Sequence, residues 1–240
     1  MSRRRVYGSQ STIVPSLIDM PLNGNLDNIG QRSDCFGRIQ WISSGGGGQL
    51  ITPVFDNVDG RQVLRLQAAN RPLVICSEEH GSANFHTDSL GWSMEFEFLL
   101  FNISQAERCL FSFMPSRGIT DSTQRIMVET HPLNSYTFQI RNEAVSANYG
   151  GSGITLQHSV WYKLTADFSS SGQLRVKIGN DIMVSSVSWA PQITRQRFNI
   201  GTRQWNWGSG IMQGQVRNLK IGNFGDISLE IPPSLNVEVI

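Results

Sequence analysis

The sequence predicts an all-β antiparallel sandwich, and three observations carry that prediction. Short segments that alternate apolar and polar residues recur along the chain, as in Gln173-Leu-Arg-Val-Lys-Ile and Gln215-Val-Arg-Asn-Leu-Lys-Ile. Strand side chains point to opposite faces in turn, so such a segment buries one face and wets the other. The segments are bounded by Gly, Asn, Ser and Pro, and the chain holds 23 glycines, the residues that reverse a chain between short strands. Only residues 102–108 have a composition suited to a helical turn. Many short strands with glycine-rich turns and almost no helix point to a sandwich or a barrel.

Taken in order, residues 1–34 read as an extended N-terminal arm. It opens on Arg3, Arg4 and Arg5, and its apolar pairs Ile13-Val14 and Leu17-Ile18 are interrupted by prolines and turn formers too often for a regular element. A freely disordered tail carries fewer such residues. The arm is therefore expected to lie on a surface, either its own domain or a neighbouring subunit. Residues 35–49 hold a short strand at 36–42 and the loop Ser43-Ser-Gly-Gly-Gly-Gly. The main domain, 50–224, begins with strands at 50–55 and 61–67 joined by an Asp/Asn/Gly turn, with Pro53 placing the first at a sheet edge. Further strands are expected at 71–76, at 91–101 and at 109–114. A hairpin joins 124–130 to 136–142, residues 148–153 form a glycine loop, and strands follow over 159–168, 173–178, 197–201 and 212–222. Residues 225–240 are a short C-terminal tail whose end, Leu235-Asn-Val-Glu-Val-Ile, can pair with an open sheet edge.

Composition narrows the classes of function. Twenty basic and 19 acidic residues leave a net charge of +1, which offers no field to recruit nucleic acid or an anionic membrane. Charged residues are 16% of the chain, below the roughly 25% of an ordinary soluble domain. The neutral, hydrogen-bonding surface that results suits protein assembly or sugar contact. Cys35, Cys76 and Cys109 are far apart and odd in number, and are expected to form neither a disulfide framework nor a zinc site. The basic start lacks the apolar run of a signal peptide, so synthesis in a reducing cytoplasm is expected, and no stretch has the length of a membrane span.

The strand strings are family-like in their order. Gly60-Arg-Gln-Val-Leu-Arg-Leu, Trp92-Ser-Met-Glu-Phe-Glu-Phe, Val160-Trp-Tyr-Lys-Leu-Thr-Ala-Asp-Phe, Gln173-Leu-Arg-Val-Lys-Ile, Phe198-Asn-Ile-Gly and Gly214-Gln-Val-Arg-Asn-Leu-Lys-Ile together resemble the concanavalin A-like lectin and laminin-G-like jelly roll. The resemblance covers residues 50–224. It implies two curved antiparallel sheets packed face to face, and a concave face that often binds carbohydrate. Jelly-roll glycosidases of this kind carry a Glu-x-Asp-x-x-Glu run. Here Glu95 and Glu97 share a strand face but are followed by Phe98-Leu-Leu-Phe with no third acid, so they read as a solvated face, and no enzyme activity is expected.

His80 and His86 share a loop with Glu78, Glu79 and Asp88 but lack the spacing of metal ligands, and Asp56, Asn57 and Asp59 are explained by a turn without calcium. No metal and no cofactor is expected. Trp161 lies inside an alternating strand and reads as core. Trp205 and Trp207 differ, being separated only by Asn206 and followed by Gly-Ser-Gly. An indole offers an apolar face to a sugar ring while neighbouring amides bond its hydroxyls, and it serves equally as an anchor for a protein partner. Trp205, Asn206, Trp207 and Tyr149 are therefore the candidate carbohydrate- or partner-binding residues. Arg3, Arg4, Arg5, Ile13, Val14, Leu17 and Ile18 are the candidate assembly arm. The functional expectation is a structural and binding protein of a bacteriophage virion, in capsid decoration or in the tail or fibre. Its expected partners are other virion proteins and, through homo-oligomerisation, its own copies. The alternative is a carbohydrate-binding module that takes surface glycans.

Overall fold

The computed structural model describes residues 16–32, 34–41, 49–66, 72–75, 91–101, 108–115, 126–131, 137–142, 147–151, 156–186, 196–202 and 212–229. Within them the chain is all β, with no helix. The strands are β1 (Ile18–Met20), β2 (Gly37–Trp41), β3 (Gln49–Ile51), β4 (Val54–Val58), β5 (Arg61–Leu66), β6 (Leu73–Ile75), β7 (Gly91–Leu100) and β8 (Arg108–Pro115). They continue with β9 (Ile126–His131), β10 (Thr137–Asn142), β11 (Ala147–Gly151), β12 (Trp161–Ser169), β13 (Gln173–Ile178), β14 (Asp181–Ser186), β15 (Gln196–Ile200) and β16 (Gly214–Asn223). The front sheet runs β14-β13-β12-β7-β16-β5-β4, with β1 added against β16, and the back sheet runs β11-β10-β9-β8-β15-β6-β2-β3. Their described pairings are antiparallel.

Alternation makes the core. On β7 the side chains of Trp92, Met94, Phe96, Phe98 and Leu100 are fully buried, while Glu95 and Glu97 between them are half-buried on the other face. The register sets Phe96 beside Leu164 and Met94 beside Ala166 on β12, and Met94 beside Ile221 on β16, so one apolar layer crosses the sheet. Trp92 joins the two sheets. Its ring meets Phe168 of the front sheet at 5.9 Å, and Phe198 and Phe111 of the back sheet edge-on at 5.4 and 6.2 Å, the geometry favoured between aromatic quadrupoles.

Several expectations are revised by the structure. The strand expected at 50–55 breaks at Thr52 and Pro53: β3 ends the back sheet, β4 ends the front sheet, and the proline lies where the chain changes sheets. The turn that follows is only Asp59-Gly60, with φ of 50° and 77°. Such Asp-Gly pairs match the twist of a two-residue hairpin. The glycine loop expected at 148–153 overlaps β11, which pairs with β10, and β14 is an additional strand. Of residues 102–108, expected to make a helical turn, Arg108 begins β8 and the rest lie outside the described residues.

The arm lies on its own domain, one of the two surfaces expected for it, but part of it forms a regular strand. Residues 16–32 belong to the domain itself: β1 pairs with β16, setting Ile18 opposite Ile221 and Met20 opposite Leu219, and Ile18, Met20 and Leu22 are fully buried. A three-residue strand is too short to carry a readable period. It is held by the loop behind it, where Asn28 uses both ends of its amide. Its Oδ1 accepts from the main-chain N–H of Asp19 (2.8 Å) and of Gly30 (2.9 Å), and its Nδ2 donates to the carbonyls of Arg32 and Cys35 (both 2.6 Å). Gly30 packs so closely that a Cβ there would lie 2.6 Å from the Leu17 carbonyl. Cys35 is disulfide-bonded, against the expectation that the cysteines form no disulfide. The pairing of β2 with β6, Gly37 opposite Ile75, brings together segments that linear spacing keeps apart. Cys109 is a buried thiol whose Sγ donates to the Phe111 carbonyl at 3.2 Å.

Candidate functional site

The outward face of the front sheet gathers the charged residues that the core strands cannot bury. Outward positions on β7 are Ser93, Glu95, Glu97 and Leu99. On β12 they face Asp167, Thr165, Lys163 and Trp161, and on β16 they face Gly222, Lys220, Arg217 and Gln215. Glu95 pairs with Lys163 at 2.6 Å and with Lys220 at 3.9 Å. Glu97 accepts from Arg217 at 2.7 Å and from the Asn218 amide at 2.8 Å. Burial acts to raise the Glu97 carboxyl, but the hydrogen bonds from Asn218 and Arg217, with the charges of Arg217 and Lys163, outweigh it and hold the group below the usual carboxylate range. A catalytic acid for glycoside hydrolysis needs the opposite shift. Trp161, expected in the core, is half-buried on this outer face, with the Arg217 guanidinium 4.1 Å from its ring centroid. Its register opposite Leu99 puts it in the outward phase, and Tyr162 takes the inward one, stacked on Phe98.

The far half of the same face is covered by the chain after β16. The Ser93 hydroxyl donates to the Asn223 carbonyl at 2.6 Å and accepts from the Ile227 N–H at 3.1 Å. The Asp226 carboxylate accepts from the Asn223 N–H at 2.8 Å, and Ile227 and Leu229 are buried. Beneath this cover Asp167 is only 2% exposed and is bound by both Nε (2.8 Å) and Nη2 of Arg175. Burial pushes the Asp167 carboxyl up against the opposing pull of Arg175, while the hydrogen bond to Asp167 raises Arg175.

The expected site residues divide sharply. Trp205, Asn206 and Trp207 lie outside the described residues, as do Arg3, Arg4, Arg5, Ile13, Val14, His80 and His86. Tyr149 is in β11, at the edge of the back sheet, with its main chain opposite Ile140. Leu17, half-buried, packs against the core, and Ile18 is part of it. Asp56, considered as a calcium ligand, has its oxygens committed to Arg65 at 3.3 Å and Gln215 at 2.7 Å. Among the described residues there is no cluster of three metal-ligating side chains.

Sequence reading missed the group around Arg61, Gln62, Asn23, Arg217 and Asn218, which lines a notch of about 460 Å³ at the edge of the open half. One signal was present. The adjacent polar pair Arg217-Asn218 breaks the two-residue alternation of β16, and the structure has a bulge there, as an inserted residue requires.

No protein-family model and no curated protein matches the sequence. Solved structures do match the fold. Domain 4 of AbnA, a GH43 extracellular arabinanase from Geobacillus stearothermophilus solved in complex with arabinotriose, is similar with a TM-score of 0.57 at 10% identity, over 86% of this chain and 94% of that one. Full-length tailspike protein 2 from Escherichia coli O157:H7 bacteriophage CAB120 gives 0.56 at 14% identity, over 78% of this chain and 26% of the tailspike. The receptor binding domain of a botulinum neurotoxin C/D mosaic serotype gives 0.55 at 8% identity, over 88% of this chain and 49% of that one. The chain thus spans about half of the toxin fragment and about a quarter of the tailspike. Together with the two antiparallel sheets, these likenesses establish a jelly-roll-like β-sandwich.

Proposed function

We propose that the chain is a non-enzymatic binding domain that recognises carbohydrate and is carried on a larger assembly, with a bacteriophage tail or fibre the assembly we favour. One observation carries the reading: the fold matches nearly the whole of a domain solved with a bound oligosaccharide. Both oxygens of Glu97 are engaged by Arg217 and Asn218, and no third acid follows it along β7, which favours binding over hydrolysis. The likeness to a phage tailspike supports the choice of assembly, by analogy of fold. A disulfide at Cys35 suits a chain that works outside a reducing compartment, as a released virion does.

In this reading Trp205, Asn206, Trp207 and Tyr149 supply stacking faces and amide hydrogen bonds to sugar. A glycan array probed with the full chain tests it. Binding is expected and is expected to fall in the Trp205→Ala/Trp207→Ala double variant; unchanged binding by that variant means the sugar sits elsewhere. The second reading, a capsid-decorating structural protein held by its arms, now concerns residues 1–15, because residues 16–32 are spent on the domain's own core. Deleting residues 1–15 should then abolish incorporation into the particle without unfolding the sandwich.

A further inference from the structure

The notch exists because β16 changes partner halfway along. Its first part, Gly214, Gln215 and Val216, pairs with β5, and its later part, Leu219, Lys220 and Ile221, pairs with β1. Between them is the bulge, where Asn218 adopts a φ of 54°, a left-handed conformation that Asn tolerates better than most residues. Neither β5 nor β1 fills the space beside the bulge. The resulting cavity of about 460 Å³ falls within the roughly 300–1,000 Å³ of small-ligand sites.

Its lining is built for a polar ligand that carries negative charge. The charged residues that line it are both arginines, Arg61 and Arg217. Arg217 is held in place: Nε and Nη2 lie 2.7 Å from Oε2 of Glu97, and the Trp161 ring lies against the guanidinium. That leaves Nη1 for a ligand. Asn218 gives its Nδ2 to Glu97 and keeps its Oδ1. Arg61, Gln62 and Asn23 are exposed and make no side-chain hydrogen bond or ion pair among the described residues. Guanidinium groups match a carboxylate in planar, two-point contact, and side-chain amides match hydroxyls as donors and acceptors.

We infer that this notch binds an acidic saccharide, a sugar bearing a carboxylate, which seats between Arg61 and Arg217 while its hydroxyls bond Asn23, Gln62 and Asn218. The inference rests on the carbohydrate-binding reading and adds to it a ligand class and a site made of residues other than Trp205 and Trp207. The test is an array of uronic-acid and sialic-acid oligosaccharides beside their carboxyl-reduced counterparts. It is probed with the full chain, with Arg61→Ala, Arg61→Lys and Gln62→Ala, and with the Trp205→Ala/Trp207→Ala double variant. Reduction of the carboxyl and the Arg61→Ala change are each expected to weaken binding roughly tenfold or more, as the loss of one charged hydrogen-bonding partner implies. Arg61→Lys should recover part of the loss, Gln62→Ala should weaken binding less than Arg61→Ala, and added salt should weaken the acidic interaction. Because Arg61 is exposed, its variants should unfold at the temperature of the parent. Binding to neutral glycans alone, lost in the double tryptophan variant and untouched by Arg61→Ala, overturns this site and leaves the broader reading standing. Absence of binding to every glycan overturns both.

Discussion

Two carboxylate–guanidinium pairs lie on the same face of the same sheet and behave in opposite ways. Asp167 and Arg175 pair across β12 and β13, and Glu97 and Arg217 across β7 and β16. Both are cross-strand contacts of the kind that alternation places on an outer face. The difference is cover. Residues 224–229 lie over the first pair, so Asp167 has lost almost all contact with water and its carboxyl is pushed up. The second pair is open on one side, keeps part of its hydration, and its carboxyl is held down by its partners. A single β-sheet face is therefore divided into a covered half and an open half by six residues that are not in a strand.

Breaking the covered pair is expected to have the largest effect. Arg175→Ala leaves Asp167 buried without its counter-charge and should cost about 3 kcal/mol in urea unfolding. Removing both partners in Arg175→Ala/Asp167→Ala should cost less than the sum of the two single changes. Thinning the cover comes next: Ile227→Ala should cost about 2 kcal/mol, from lost burial and the cavity it leaves. The open pair is worth the least, with Glu97→Gln expected below about 1 kcal/mol near neutral pH.

The pH dependence separates the pairs more cleanly than their size. Glu97 has its folded-state pKa lowered from 4.5, so its contribution is present above that value and is lost as pH falls through the lowered one. The cost of Glu97→Gln should therefore be greater at pH 7 than at pH 3. Asp167 has its pKa raised from 3.8; its contribution is full below 3.8 and is lost as pH rises through the raised value. The cost of Asp167→Asn should be smaller at pH 7 than at pH 3. Parallel slopes for the two variants in urea titrations at both pH values would remove the distinction between the halves.

The longer strands of both sheets were the legible part of this chain, for a physical reason. Strands β7, β12, β13 and β16 are long enough to show several periods of alternation, and their inward residues include the largest buried side chains. The three-residue β1 carries less than two periods, so prolines and turn formers dominated its reading as an arm. Trp161 lies inside an alternating strand, which alone does not fix its phase; only the pairing with Leu99 puts it on the outer face. The notch residues Asn23, Arg61 and Asn218 come from three distant stretches, and no local pattern announces that a bulge will bring them together. The tryptophan pair, by contrast, stands out by composition alone.

The position of β16 also governs the order of events during synthesis. It lies inside the front sheet, hydrogen-bonded to β7 on one side and to β5 and β1 on the other, yet it follows every other described strand. Until the ribosome has released residue 223, β7 has an unpaired edge on that side. Closure then joins positions as far apart as 18 and 221, so folding should be slow for a domain of this size, as long loop closures dictate. The nascent chain is expected to depend on chaperones, or on neighbouring copies kept apart, until β16 arrives.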